Sequence, residues 1–142
     1  MELTLIFPHQ LFADHPCLKS GRPVALIEDP LFFGTDPRWP MQVHRQRALL
    51  HRASMSAYAD TLRERGFKVQ QRLHHQARDT AEHLQALLKQ GFRSFHLAYP
   101  IDDLLSKRLQ SFVASHSCAL EVSATPMLLT PDAVVEEHQP WL

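Results

Sequence analysis

The stretch 3-LTLIFPHQ-10 joins a short apolar run to an abrupt stop. The run Leu3–Phe7 is typical of a strand buried on both faces, as in a parallel sheet covered by helices. A nucleotide-binding α/β protein normally has a glycine-rich turn after such a strand, whereas Pro8, His9 and Gln10 follow here. Side chains, rather than backbone amides, would therefore have to define any ligand pocket beside this strand.

Strand and helix patterns alternate along the rest of the chain. Strands are predicted at Val24–Glu28, Phe67–Leu73, Phe95–Tyr99 and Ala119–Val122. Helices are predicted from about Met41 to Arg65, after Asp79 (with Glu82 at capping-box spacing and Gly91 at the end), from Asp102 or Asp103, and from Thr130-Pro131. The proline-rich segment 29–40 is predicted to be a loop.

This alternation predicts an α/β fold, a Rossmann-like three-layer sandwich with a five-stranded parallel sheet. We expect one domain over residues 1–125, with residues 126–142 beginning a linker or helix towards a further domain.

Composition excludes several classes of protein. The 142 residues are 44% apolar and 21% charged, and 15 basic side chains balance 15 acidic ones. A domain that grips nucleic acid by itself is usually clearly basic, so this is not expected here. The absence of a long apolar run and of a signal-peptide pattern predicts a cytoplasmic protein without a membrane partner. Cys17 and Cys118 are too far apart in sequence for a metal motif, which favours reduced thiols.

Ligands of such sheets bind at the carboxyl ends of the strands, which points to the loops after Phe7, Glu28 and Tyr99. The four glycines are scattered and form neither a dinucleotide fingerprint nor a P-loop, so a conventional dinucleotide site is not expected. Adjacent His74 and His75 would point to opposite sides of a strand, which argues against a joint metal site. No catalytic residue is predicted.

The long helix carries a polar stripe of His44, Arg47, His51 and Ser54 between two apolar bands. This stripe would either hydrogen-bond loop carbonyls or face a ligand or partner domain, and both readings stay open. The apolar bands consist of Val43, Leu49, Leu50, Ala53 and Ala57, and of Ala48, Met55, Tyr58, Ala59 and Leu62. A further stripe, of Arg45, Arg52, Ser56 and Arg63, is expected to face solvent.

Five segments together resemble the N-terminal domain of the cryptochrome/photolyase-related proteins, in the bacterial branch that includes iron–sulfur (6-4) photolyases. The segments cover nearly the whole chain in order: LIFPHQLFADHP (5–16), RPVALIEDPLFF (22–33), HRQRALLHRASMSAYADTL (44–62), FHLAYPIDDLLSKRL (95–109) and ATPMLLTPDAV (124–134).

The resemblance implies a division of labour between two domains. The N-terminal module would hold an antenna chromophore of the ribityl-lumazine or deazaflavin type. A helical C-terminal domain, absent here, would bind FAD, an iron–sulfur cluster where present, and damaged DNA. The resemblance thus implies a chromophore-binding domain of a flavoprotein in light-dependent DNA repair or blue-light sensing, inactive by itself and in contact with DNA only through the helical domain.

The resemblance also implies a set of cofactor-binding residues. Family members often carry Gly-Asp-Gln-Leu where this chain has Pro8-His9-Gln10-Leu11. A neutral imidazole offers one donor and one acceptor, whereas an aspartate only accepts, so a different chromophore or none is left open. Two alternatives are a ligand-free docking module for the helical domain and a stand-alone small nucleotide or redox protein. The implied pocket lining is His9, Gln10, Glu28, His44, Arg47, Ala48, His51, Tyr99, Pro100 and Ile101.

Overall fold

A computed structural model describes residues 1–13, 15–33, 36–37, 45–100 and 102–124. The strands are β1 (Glu2–Ile6), β2 (Val24–Ile27), β3 (Val69–Arg72), β4 (Ser94–Ala98) and β5 (Ala119–Ser123). The helices are α1 (Pro30–Phe33), α2 (Arg45–Glu64), α3 (Thr80–Lys89) and α4 (Asp103–Ser115), and residues His74–Gln76 form a 3-10 turn.

The sheet has the order β3-β2-β1-β4-β5, and every neighbouring pair is parallel. The predicted Rossmann-like α/β fold with five parallel strands is therefore confirmed. The chain adds strands on one side of β1 and then on the other, so the strand order reverses between β1 and β4. This reversal places the crevice typical of such sheets at the carboxyl ends of β1 and β4.

Side chains from alternate strand positions build two separate apolar layers. One sheet face packs against α3 and α4, and the other packs beneath α2. On the α2 side, Met55, Ala59 and Leu62 are fully buried, which confirms one predicted apolar band. Tyr58 of the same band is half-buried, and its hydroxyl donates to the carbonyl of Phe12 at 2.6 Å.

The predicted starts of two helices are confirmed, while the start predicted near Met41 lies outside the described residues. Asp79 and Asp102 are the N-caps of α3 and α4, accepting from the backbone N–H of Glu82 and Leu105. The Glu82 carboxylate does not complete a capping box but binds Arg78, with Nε at 2.9 Å. The helix expected at Thr130 and the expected linker 126–142 lie outside the described residues.

The segment 29–40 is not simply a loop, because Pro30–Phe33 forms α1. Proline suits the first position of a helix, where its missing N–H costs no hydrogen bond. Asp36, just beyond, is fully buried and forms a two-point ion pair with Arg108 of α4. One of the prolines that predicted a loop, Pro30, therefore starts a short helix, and Asp36 beyond it ties the segment to the domain.

Two predictions for α2 are wrong. Leu49 and Leu50 are 59% and 65% exposed. The described part of the apolar band to which they belong therefore faces outwards. Arg52, which was expected to face solvent, instead binds the carboxylate of Glu28. A helix lying on one sheet face buries a single stripe, so it cannot bury two bands against that sheet. Val43 lies outside the described residues.

Two buried histidines predict an acid-sensitive fold. Burial lowers the pKa of His15 and of His83 to about 4, whereas an unfolded histidine titrates near pH 6.5. The unfolded chain therefore binds protons that the folded chain cannot. We expect the free energy of unfolding to be largest above about pH 6.5 and to fall as the pH drops towards 4, as measured by urea unfolding.

The variant His83→Asn tests the cause of this acid sensitivity. His83 Nδ1 lies 3.3 Å from Arg72 Nε, and an asparagine oxygen can accept at a similar place. We expect lower stability at pH 7.5 but a smaller loss between pH 7.5 and 5. The exposed His75→Asn is the matched control and should keep the wild-type slope. Equal slopes in all three proteins would contradict the assignment.

Candidate ligand site at the carboxyl edge of the sheet

His9 lies at the point where the strand order reverses. Its Nε2 is 2.6 Å from the carbonyl oxygen of Pro100, so the ends of β1 and β4 are joined by this contact. A carbonyl oxygen only accepts, and Nε2 therefore carries the proton while Nδ1 holds a lone pair. Nδ1 is buried and has no hydrogen-bond partner among the described residues. Burial holds the pKa of His9 below its ordinary value, although the Pro100 carbonyl and Asp102 oppose this.

Gln10 makes a second connection across the same strand ends. Its side chain is fully buried, and its Nε2 donates to the carbonyl of Ala98 at 2.8 Å. Its Oε1 accepts a long hydrogen bond from the backbone N–H of Phe7 at 3.4 Å. With no accessible surface, Gln10 holds β1 against β4 and positions His9 in the described structure.

Helix α1 contributes two flat surfaces to this edge. The ring of Phe32 stacks on His9 with centroids 4.9 Å apart and planes at 19°. The ring of Phe33 stacks on His74 at 4.5 Å and 6°, and His51 of α2 leans against Phe33 at 5.8 Å. The edge is therefore lined by aromatic and imidazole rings on segments that follow β1, β2 and β3.

Glu28 is the buried charge beneath these rings, with 1% of its side chain exposed. Arg52 Nη2 and Nε approach its two oxygens at 2.8 and 3.1 Å, and the backbone N–H of His74 donates to it at 3.2 Å. Burial alone would raise the pKa of Glu28, but the hydrogen bonds from Arg52 and His74 outweigh it and hold the pKa below its ordinary value. The ionised carboxylate ties α2 and the 3-10 turn to the end of β2.

The remaining predicted site residues differ in their exposure. Arg47 is exposed and Tyr99 is 41% exposed, at the ends of α2 and β4. His51 is partly buried, and burial followed by the charge of Arg47 lowers its pKa. Pro100 is buried. His44, Ile101 and the side chain of Ala48 lie outside the described residues.

Sequence reasoning missed four residues of this edge. His74 was considered only as a metal ligand, and Arg52 only as a surface residue. The adjacent Phe32 and Phe33 are the available signal, because aromatic side chains bury large surfaces and frequently pair with other rings. In the described ranges, His, Cys, Asp and Glu residues form no group of three or more suited to a metal ion. Among the helices described, none has both the length and the apolar character to cross a bilayer.

The fold and this edge define a Rossmann-like α/β domain whose strand-order reversal is bridged by side chains rather than opened by glycines. The chain matches the family model of the deoxyribodipyrimidine photo-lyase-related proteins over residues 4–140. It belongs to that family. A search of curated proteins finds no significant match.

The Glu28 cluster predicts an asymmetry between two substitutions. Arg52 is 41% exposed and can turn to water, whereas Glu28 cannot. Arg52→Met should therefore destabilise the fold by roughly 2 kcal/mol at pH 7, more than Glu28→Gln, because it leaves a buried carboxylate without its cation. Losing Arg52 raises the pKa of Glu28, so the deficit should shrink as the pH falls to 4, measured by urea unfolding.

The exposed pair of Arg78 and Glu82 supplies the control. Its two side chains are 81% and 32% exposed, and the pair lies at helix spacing. Arg78→Met should lower the free energy of unfolding far less than Arg52→Met does, because ion pairs between exposed side chains contribute little to stability. A cost for Arg52→Met that is no larger than this, or that does not vary with pH, would contradict the role given to Glu28.

Proposed function

We propose that this chain is the antenna-chromophore-binding domain of a photolyase-related flavoprotein, and that the chromophore binds at the ring-lined carboxyl edge. The observation that carries the proposal is the buried, unpartnered Nδ1 of His9 at the strand-order reversal. An acceptor in that position needs a donor, and the ring N–H of a flat heterocycle is such a donor.

The chemistry of His9 suits the chromophore class despite the departure from the aspartate of many relatives. With Nε2–H given to Pro100, the side that remains free is an acceptor, as an aspartate oxygen would be. The adjacent Phe32 supplies an apolar ring surface. A lumazine or deazaflavin combines a flat apolar ring with ring N–H donors, so the residues present fit this class.

The other expected site residues fall into two roles in this proposal. Arg47, His51 and Tyr99 have accessible surface, and they would contact the polar chain of the chromophore. Gln10 and Glu28 are buried and would act by positioning His9, Arg52 and His74. His44, Ala48, Pro100 and Ile101 complete the proposed lining.

A bound antenna would absorb near-ultraviolet or blue light and pass the energy to FAD in a helical domain of the full-length protein. The residues of this domain would orient the chromophore and exclude water. We further propose that FAD, an iron–sulfur cluster where present, and contacts to DNA belong to that helical domain. The flavin would then serve light-dependent repair or blue-light sensing.

Titration of the chain with 6,7-dimethyl-8-ribityllumazine and with a deazaflavin, followed by fluorescence anisotropy, tests this function. We expect His9→Leu to weaken binding about tenfold, because it removes a buried acceptor. His9→Asn keeps an oxygen near the position of Nδ1 and should weaken binding less. Exposed His75→Asn should bind as the wild type does. The proposal is contradicted if the wild-type chain binds neither chromophore, or if all variants bind with the same affinity.

A docking module without a ligand is the second candidate function. The exposed Leu49 and Leu50, with exposed Ala53 and Ala57 on the same side of α2, favour it. In this case the wild-type chain binds neither chromophore, while Leu49→Ser/Leu50→Ser in the full-length protein loosens the helical domain. Faster limited proteolysis between the domains would report that loss.

A further inference from the structure

A pocket of about 320 Å³ lies at the amino edge of the sheet, at the opposite end of the strands from His9. It is formed where the chain enters β1 and β2. Residues that matter for its chemistry are Glu2, Lys19, Ser20, Gly21, Arg22 and Phe92.

Two cationic side chains, those of Lys19 and Arg22, line this pocket. The one carboxylate side chain in its lining, that of Glu2, is hydrogen-bonded to His96. Glu2 accepts from His96 Nε2 at 2.8 Å, while His96 Nδ1 lies 2.9 Å from Glu121. The hydrogen bond from His96 lowers the pKa of Glu2, and the charges of Arg22 and Lys19 add to this effect. Lys19 and Arg22 form no ion pair within 4 Å among the described residues, and together they outnumber the single carboxylate of Glu2 in the pocket lining.

Arg22 is under-satisfied in this arrangement. Its Nε is buried and has no hydrogen-bond partner among the described residues. A buried donor without a partner is costly, and a guanidinium has the planar fork that matches an oxyanion. A side chain that turned this fork towards an anion in the pocket would recover the missing hydrogen bond.

The turn that carries Lys19 and Arg22 leaves room for a ligand. The N–H of Arg22 donates to the carbonyl of Lys19 at 3.0 Å, and Gly21 has φ +83°. A Cβ at Gly21 would meet no atom within 4 Å, so the backbone is open on that side. No helix ends before Lys19 and Arg22 in the described part of 7–23. Compensation of a helix dipole therefore does not account for these two positive charges.

We propose that this pocket binds the phosphate group of a phosphate ester, with Lys19 and Arg22 as its charge partners. Phe92, 7% exposed, supplies an apolar wall beside the charged groups. That combination suits a phosphate attached to a sugar or base better than a bare anion. This site is independent of the proposed chromophore, which lies at the other edge of the sheet.

Isothermal titration with inorganic phosphate, with adenosine monophosphate and with sodium chloride tests the proposal. We expect adenosine monophosphate to bind more tightly than phosphate, and chloride not to bind. Arg22→Gln should weaken binding about tenfold, because hydrogen bonds to charged groups are strong. Lys19→Gln should weaken it less, since lysine acts as a point charge, and Arg22→Lys should be intermediate.

Lys68→Gln is the matched control. Lys68 is exposed at the same edge, just before β3, but it does not line the pocket. It loses the same charge as Lys19→Gln and should change the affinity less than twofold. Equal losses in the two variants would show general attraction to a basic edge and would overturn the pocket. Thermal unfolding checks that each variant folds. If Arg22→Gln does not fold, the comparison of Lys19→Gln with Lys68→Gln tests the pocket, because Lys19 is exposed.

A ten-nucleotide thymidine oligonucleotide separates the two sources of phosphate. A pocket for a free nucleotide binds adenosine monophosphate and is not competed by the oligonucleotide. A pocket for a nucleic-acid backbone binds the oligonucleotide more tightly, with an affinity that falls steeply with salt and depends on Arg22. Absence of binding to all three phosphate compounds would overturn the proposal.

Discussion

The structure depends on the two hydrogen bonds that join β1 to β4 at the reversal of strand order. In a doubly wound sheet the loops leave this point in opposite directions and would open a crevice. His9 bonds Pro100 and Gln10 bonds Ala98, so two side chains from one tripeptide bridge the strand ends at this point. Glycine-rich loops bring backbone amides to a ligand at this point, whereas Pro8-His9-Gln10 brings an imidazole edge.

The segment that follows β2 is fixed at three places, one of which is the bridge. Phe32 packs on His9, Phe33 packs on His74, and Asp36 binds Arg108 of α4. Each contact joins α1 or its extension to a different part of the domain. Rings that are held in this way are fixed by the protein alone, which is the pre-organisation that the proposed binding of a flat molecule would need.

The sequence predicted β1, β2 and β4 well because each is a largely apolar run bounded by proline, glycine or charge, whereas the edge strands β3 and β5 are more polar and less buried. It predicted two helix starts because Asp79 and Asp102 carry a side-chain acceptor in the right place. It failed on α2 for a physical reason: periodicity shows that a helix has apolar bands, but not which band meets the sheet. The contact of Arg52 with Glu28 lies beyond periodicity altogether, because it joins residues 24 positions apart. The three loops of the site were found from strand ends, while the ring stacks needed the path of α1.

The two edges of the sheet have opposite chemistry, and the fold explains only part of this difference. Helices that run antiparallel to the strands end at the amino edge, where cations such as Lys89 compensate the helix dipole. The carboxyl edge receives helix starts, which favour capping carboxylates such as Asp79 and Asp102. Lys19 and Arg22 stand outside this pattern because no helix ends before them in the described residues, so the helix dipole does not account for the positive charge at this place.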